Sequence, residues 1–452
     1  MPLRSTLGSL SELRHLFLPT RLFLALGGVV LAYVLAFVFP DVTPVARALG
    51  LLLAALTLVD GVLLFGSGGT LTVERDTPTR FSNGDSNPVD VHVTNHFRFS
   101  VTATVIDELP EQLQVRDQRI RVTVPPRRTR RVRYTVRPTE RGAYEFGAVN
   151  VYVESPLGLI QRRVQADVGE EVPVYPSFLQ MQTYGLLAAS NRLEEVGVKK
   201  IRRLGHTMEF DHIRAYVRGD DYRTMNWKAS ARRGSLMVNA YRDERSQPVY
   251  CILNMGRVMQ MPFDGLTLLD HSINASLVLC NIALMKHDRA GLIPFSHDLG
   301  PVVPAERRSG QMRHIQEALY RLDTDFLEAD YARLVRYVRT NVRQRSLLVL
   351  FTNFAARSSL ERQMPYLRLL ARGHPLVVVF FENTRLTDLT QTKAASTEDV
   401  YVKTMAEKFA YESREIVREL QHAGIYAVRT PPENLTVETL NQYLDLKARG
   451  VI

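Results

Sequence analysis

The sequence predicts three structural classes in series: a membrane α-hairpin, a β-sandwich, and a doubly wound α/β domain. Three observations predict it. Two apolar runs lie close together near the start, Leu22 to Phe39 and Ala48 to Phe65. Short runs of strict apolar–polar alternation follow, from Leu71 to about Val174. From Gln247 onward, near-continuous apolar runs alternate with amphipathic helical stretches. A chain of 452 residues suits two or three domains, and 45% apolar content is ordinary for a protein that buries a core. The predicted segments are 1–21, 22–66, 71–176, 177–246 and 247–452: lead-in, hairpin, sandwich, linker packing on the last domain, and α/β domain.

The first run carries no charge and, at about 1.5 Å per residue, reaches across a ~30 Å hydrocarbon layer. Pro40-Asp41 ends it. The second run is interrupted by Asp60 near its far end. A short loop between two spans returns the chain to its starting side. Arg4, Arg14 and Arg21 precede the first span, whereas only Arg47 stands in the loop, which places both ends in the cytoplasm under an inner membrane. A cleaved signal peptide is disfavoured, because no small-residue cleavage site precedes Pro40 and a second span follows at once. The net charge of +10 fits the same positive-inside bias and is compatible with anionic partners. Cys251 and Cys280 are the only cysteines, so a four-cysteine zinc site and a disulfide framework are both excluded. Their scarcity suits a reducing compartment.

Between the hairpin and residue 176, Val89 to Val93, Ile120 to Val124 and Val149 to Val153 alternate with period two. Asn83-Gly84-Asp85, Leu109-Pro110, Pro125-Pro126 and Arg141-Gly142 punctuate them as turns. This reads as an antiparallel sandwich. His92 and His96 are four apart, a spacing that does not bring them together on a strand. Arg127, Arg128, Arg130, Arg131 and Arg133 read as a solvated, charged sheet edge that blocks edge-to-edge pairing. Contact with anionic lipid or another anionic polymer is the alternative.

In the last segment, Val249 to Leu253, Gly291 to Ile293, Leu347 to Phe351, Leu376 to Phe380 and Ile425 to Val428 read as buried strands. Leu268 to Lys286, Met312 to Leu322, Lys403 to His422 and Val437 to Lys447 read as helices. Ligands of such sheets bind beyond the strands' carboxyl ends, where the strand order reverses. That directs attention to Asn254-Met255-Gly256-Arg257-Val258 and Thr352-Asn353-Phe354.

The segment from Glu209 to Gly234 is the densest in chemistry, and it holds the only tryptophan. Its candidate residues are Glu209, Arg214, Tyr216, Gly219, Asp220, Asp221, Arg223, Asn226, Trp227 and Arg232. Asp220 or Asp221 fits a helix N-cap, with a helix to about Arg233 and Gly234 as a left-handed stop. Arg223 and Trp227 would then share a face. The reading is a clamp: acids pair with Arg214, Arg218, Arg223 and Arg232, and Trp227 packs into the last domain. A docking surface is the second reading. An acid/base pair at Asp220 and Asp221 is the third, though adjacent turn residues point apart and the arginines would keep both ionised.

These residues, together with Asp107, Leu109-Pro110, Arg141-Gly142, Ser155-Pro156-Leu157-Gly158-Leu159, Leu435 and Tyr443-Leu444, give the whole chain its resemblance to a bacterial family. It resembles the family catalogued as domain of unknown function 58. The resemblance implies a von Willebrand factor A-like final domain and a MoxR-type AAA+ ATPase as partner. It implies a membrane-anchored adaptor with a role in assembly or maturation of other complexes, other membrane or envelope proteins among its partners, and no nucleic acid. Domains of that type often hold Mg²⁺ through Asp-x-Ser-x-Ser and a second aspartate. Here the corresponding positions are Asn254, Gly256, Val258 and Asn353, and Arg257 adds a positive charge. Hard divalent ions want anionic oxygens, so no metal or other cofactor is expected.

No Gly-Lys dipeptide occurs, which excludes a Walker A phosphate loop, and neither His-Glu-x-x-His nor Gly-x-Ser-x-Gly is present. The expected function is a non-enzymatic, membrane-anchored scaffold. A hydrolase-like enzyme using Gly219 to Asp221, and anionic lipid or polymer binding through Arg127 to Arg133, are the alternatives.

Overall fold

The two apolar runs fold as helices α1 (Thr20–Val38) and α2 (Thr43–Gly61), turned tightly by Pro40–Val42. In this computed structural model the described residues are 15–66, 68–115, 118–166, 169–190, 192–198, 209–242, 246–354, 356–384, 386, 389 and 396–452. The chain divides into two compact units, Met1–Tyr175 and Pro176–Ile452. Both hairpin helices are long and apolar enough to cross a membrane. A helix of a water-soluble protein buries one apolar stripe. Of α1 only Leu22 and Ala36 are buried, and of α2 only Ala46 and Asp60. Apolar side chains therefore face outward on all sides, as a hydrocarbon solvent requires.

The rest of the first unit is β-structure: β1 (Leu71–Asp76), β2 (Asn87–Asn95), β3 (Val101–Asp107), β4 (Ile120–Val124), β5 (Thr129–Val136), β6 (Gly142–Phe146), β7 (Val149–Glu154), β8 (Gln161–Ala166) and β9 (Glu170–Tyr175). One sheet runs β8-β7-β3-β4, with Leu16–Phe17 added outside β8; a second runs β1-β2-β5. A third pairs β6 with β9 and adds Phe81–Ser82. That last pairing is parallel, where the period-two pattern predicts antiparallel neighbours throughout. The alternation puts Val89, Val91, Val93, Val151 and Val153 into one shared core. Strand β5 is an edge, with Val132, Tyr134 and Val136 inward and Arg131 and Arg133 outward on Asp90.

Two buried acids organise this unit. Asp107 meets Arg75 at 2.7 Å, with both side chains almost wholly out of solvent. Tyr134 donates to its other oxygen, and Arg75 also donates to the Gly147 carbonyl. Asp60 is fully buried at the end of α2 and accepts from Ser155 Oγ and from the Leu159 and Ile160 N–H groups, both at 2.8 Å. Three donors offset the several kcal/mol that burying a bare carboxylate costs. The Ser155–Leu159 motif is therefore a receptor for the hairpin's acid. Gly158 is required there: its φ is +65°, and an added Cβ would stand 3.1 Å from Arg21 Nη1.

The second unit opens with α3 (Phe178–Ala189) and a small antiparallel pair, β10 (Glu209–Ala215) and β11 (Met237–Arg242), flanking α4 (Trp227–Arg233). The remainder is β12 (Pro248–Asn254), α5 (Leu268–Met285), β13 (Arg289–Phe295), β14 (Val303–Glu306), α6 (Gln311–Tyr320), α7 (Tyr331–Asn341), β15 (Leu347–Phe351), α8 (Arg357–Gly373), β16 (Leu376–Phe381), α9 (Thr397–His422), β17 (Tyr426–Thr430) and α10 (Leu435–Ala448). Helices α7 and α8 are additions to the elements expected from sequence. The six-stranded sheet has the order β14-β13-β12-β15-β16-β17, parallel except at edge strand β14. Alternate residues of β12 serve two cores. Val249, Cys251 and Leu253 join α3, α5, α6 and α10; Ile252 joins α7, α8 and α9. Helix α5 has the length and apolarity of a membrane span, but most of it is buried in the first of these cores. Tyr443 on α10 donates to Asp288 at 2.6 Å, and Lys447 pairs with the same oxygen at 2.8 Å.

Candidate functional site

Strand β12 has β13 on one side and β15 on the other, so the strand order reverses between β12 and β15. Asn254 ends β12, and Thr352 directly follows β15. Asn254 is buried and donates through Nδ2 to Thr352 Oγ1 at 2.9 Å and to Tyr331 Oη at 3.3 Å. Its Oδ1 accepts the Gly256 N–H at 2.8 Å, and Tyr331 Oη lies 2.9 Å from Thr352 Oγ1. Burial pushes the Tyr331 hydroxyl up to about 12, so it stays protonated and neutral. The place where this sheet would take a ligand is thus closed by three neutral groups that satisfy one another. Gly256 is packed tightly: a Cβ would stand 2.9 Å from Asn254 Oδ1 and 3.0 Å from the Leu327 carbonyl. Val258 is half-buried and Arg257 is exposed on a short 3₁₀ turn. Asn353 folds back on its own backbone, accepting the Phe354 N–H at 3.0 Å. Among the described residues no group of three or more His, Cys, Asp or Glu could hold a metal ion. Tyr331 has no counterpart in the sequence reading. The one available signal is Asp330, whose side chain accepts the Arg333 N–H and caps α7 just ahead of it.

The segment from Glu209 to Arg242 folds into a separate hydrogen-bonded module. Glu209 opens β10; its side chain lies outside the described residues. Arg214 grips Asp220 bidentately at 2.6 and 2.8 Å, and Asp220 also accepts the Val217 N–H at 2.9 Å. These two partners hold the Asp220 carboxyl below the usual carboxylate range. Gly219, with φ of +115°, makes the turn that lets Asp220 reach back. Tyr216, half-buried, closes the loop with its N–H on the Leu236 carbonyl at 2.9 Å.

The helix forms differently from the expected single element. Asp221 caps only a 3₁₀ turn, Tyr222–Thr224, by accepting the Arg223 N–H. A second start follows at Asn226, whose Oδ1 accepts the Ala229 N–H at 3.0 Å and whose Nδ2 donates to Asn239 at 2.8 Å. Asparagine is as good a cap as aspartate, and here it also reaches β11. Arg223 and Trp227 consequently stand on separate helical pieces. Gly234 ends α4 with φ of +70°, as expected. Ser230 binds the Asn226 carbonyl at 2.9 Å and accepts the Met237 N–H at 2.8 Å, fastening the helix to a buried Met237-Val238.

One expectation is met in part and one is overturned. Of the four arginines assigned to a clamp, Arg214 pairs with Asp220; Arg218, Arg223 and Arg232 have no acid within ion-pair reach among the described residues, which leave out the side chains of Glu209 and Asp211. Trp227 does not pack into the domain. It is 68% exposed, as is Tyr222, and Val217 is 62% exposed. Helix α4 gains its order from Asn226, Ser230 and Met237 and has no need to bury its tryptophan.

The model of the family described as "Protein of unknown function DUF58" matches residues 212–418, from this module through most of α9. The uncharacterized protein YeaD of Bacillus subtilis (strain 168) is 28% identical over 184 residues, 39% of this chain and 45% of that protein. The match thus spans less than half of that relative's length. Among solved structures, proximal thread matrix protein 1 from the mussel byssus aligns at 10% identity with a TM-score of 0.25, covering 46% of this chain and 49% of its own. The CARDB domain of the PF1109 protein from Pyrococcus furiosus aligns at 18% identity with a TM-score of 0.17, covering 24% of this chain and 88% of its own.

Proposed function

We propose that the protein is a membrane-anchored, non-enzymatic adaptor whose Glu209–Arg242 module docks a MoxR-type AAA+ ATPase from the cytoplasmic side of a bacterial inner membrane. The observation that carries this reading is the exposure of Trp227, Tyr222 and Val217 on a module held together by its own hydrogen bonds. Exposed aromatic groups on a rigid support, flanked by arginines that meet no acid among the described residues, are the composition of an interaction hot spot. Asp220 is a poor general acid, because Arg214 keeps it ionised. The neutral, closed cluster at Asn254 supports a von Willebrand factor A-like unit that binds protein without an ion. The chain's resemblance to its family supplies the partner class.

The test is capture of the full chain from native membranes in its own host. Wild type is expected to bring down a MoxR-type ATPase, and a Trp227→Ala, Tyr222→Ala variant to lose it. Global stability should shift by no more than about 0.5 kcal/mol, the usual range for exposed positions. Recovery of the ATPase by the variant at wild-type yield would remove the module from the interface.

A further inference from the structure

The register of the strands gathers five segments at the end of the β-body where the helices leave. Leu71 faces Asn95, Thr94 faces Thr129, Val101 faces Val124, and Glu154 faces both Thr102 and Gln161. Phe17 pairs with Gln161 at the same end and leads within three residues into α1. Segments 18–21, 68–70, 96–100, 125–128 and 155–160 therefore lie together. They contain Arg21, Arg98, Arg127 and Arg128, all exposed, and no aspartate or glutamate. The connections at the other end of the strands mix Asp85, Glu108, Glu111 and Glu140 with Arg80, Arg119, Arg137 and Arg141. Exposed apolar groups share the basic end: Leu18, 47% exposed, and Leu157, 39% exposed, beside an exposed Pro156.

This end is also fastened to the hairpin rather than strung from it. Asp60 of α2 holds the 155–160 turn. Arg162 donates to the Leu64 carbonyl at 2.9 Å and stacks over the Phe65 ring, 5.1 Å from its centroid. Leu64 is fully buried in the core of the β-body. A body so attached cannot swing away from the plane at which α1 and α2 enter the membrane.

We propose that this end of the β-body rests on the bilayer, with Leu18, Pro156 and Leu157 at the acyl boundary and Arg21, Arg98, Arg127 and Arg128 on anionic lipid headgroups. The proposal rests on the hairpin spanning the membrane. Arginines close to an anionic leaflet are attracted within a Debye length, and apolar side chains beside a span anchor it at the interface. The arginine run divides accordingly: Arg131 and Arg133 serve Asp90, while Arg127 and Arg128 turn to the lipid.

The test places a fluorophore on full-length Leu157→Cys or Glu140→Cys protein in vesicles of neutral lipid, or of neutral lipid mixed with phosphatidylglycerol, containing headgroup-labelled quenching lipid. The native Cys251 and Cys280 are buried, so the label reports the introduced site. Quenching at 157 is expected to exceed that at 140 several-fold and to rise with the anionic fraction. In an Arg98→Glu, Arg127→Glu, Arg128→Glu background that rise should vanish. Quenching at 157 no greater than at 140, or unaffected by lipid charge, overturns the proposal and assigns the arginines to a soluble polyanion. Alkaline carbonate extraction separates the two readings: release of the protein removes both, whereas retention without quenching at 157 removes this one alone.

Discussion

The Asn254 cluster and the Asp220 loop are both held by side-chain hydrogen bonds, yet they sit in opposite environments. Asn254, Tyr331 and Thr352 are buried, uncharged and bonded to one another. Asp220 is ionised and half-buried near the surface, held by Arg214 and the Val217 N–H. A buried polar group must find partners inside the protein, and once it has them it has none to offer a ligand. An exposed ion pair contributes little to stability, and what it shapes is the surface around it. The comparison shows why the first site, where a sheet of this order would take a ligand, is closed, while the second keeps charged groups at the surface.

The largest effect that would break this contrast is expected from Asn254→Asp. It removes the donor to Thr352 and Tyr331 and puts a carboxylate in their midst. Leaving a buried charge unpaired costs on the order of 3–5 kcal/mol. Chemical denaturation should show that loss with and without Mg²⁺; rescue by the ion would mean that the site is one substitution away from a metal centre. Tyr331→Phe keeps the volume and removes one hydroxyl, for an expected loss of about 1–2 kcal/mol. Its pH dependence is diagnostic. The hydroxyl is raised in the fold from its ordinary 10.0 to about 12, so its contribution is complete below pH 10 and fades as pH climbs toward 12. The variant should lack that alkaline decline in denaturation experiments across this range. The smallest effect is expected from Asp220→Asn, which should leave global unfolding unchanged. Because the folded carboxyl titrates below its ordinary 3.8, the loop's order is present above that value and lost as pH falls through the lowered one. Protection of the Val217 amide, its exchange relative to the unstructured rate at the same pH, should be lost in wild type only at such acid pH, and should be lower at every pH in the variant.

Much of the fold was legible because its signals are local. The two apolar runs, the alternation of β2 and β7, and the buried runs of β12, β15 and β16 each declare themselves within a few residues. Helices α7 and α8 are less legible, although their spacing is amphipathic and Asp330 and Gly373 mark their ends, because the apolar strands beside them carry the stronger signal. At the candidate sites the residues were legible but their partners were not. Asp220 and Arg214 are six apart and their pairing was foreseeable. The cap at Asn226 competed with two aspartates nearby, and the choice turned on Asn239, a residue thirteen positions away.

From the sequence alone came the order of the segments, the absence of acidic and hydroxyl side chains at Asn254, Gly256, Val258 and Asn353, and the left-handed stop at Gly234. These depend on which atoms a residue has and on its near neighbours. Tertiary structure alone decided that Asp60 is received by a turn about 95 residues away, that Tyr331 completes the neutral cluster, and that Trp227 faces outward. Burial is a property of how distant segments meet, and a tryptophan in sequence carries no mark of whether its module will cover it or display it.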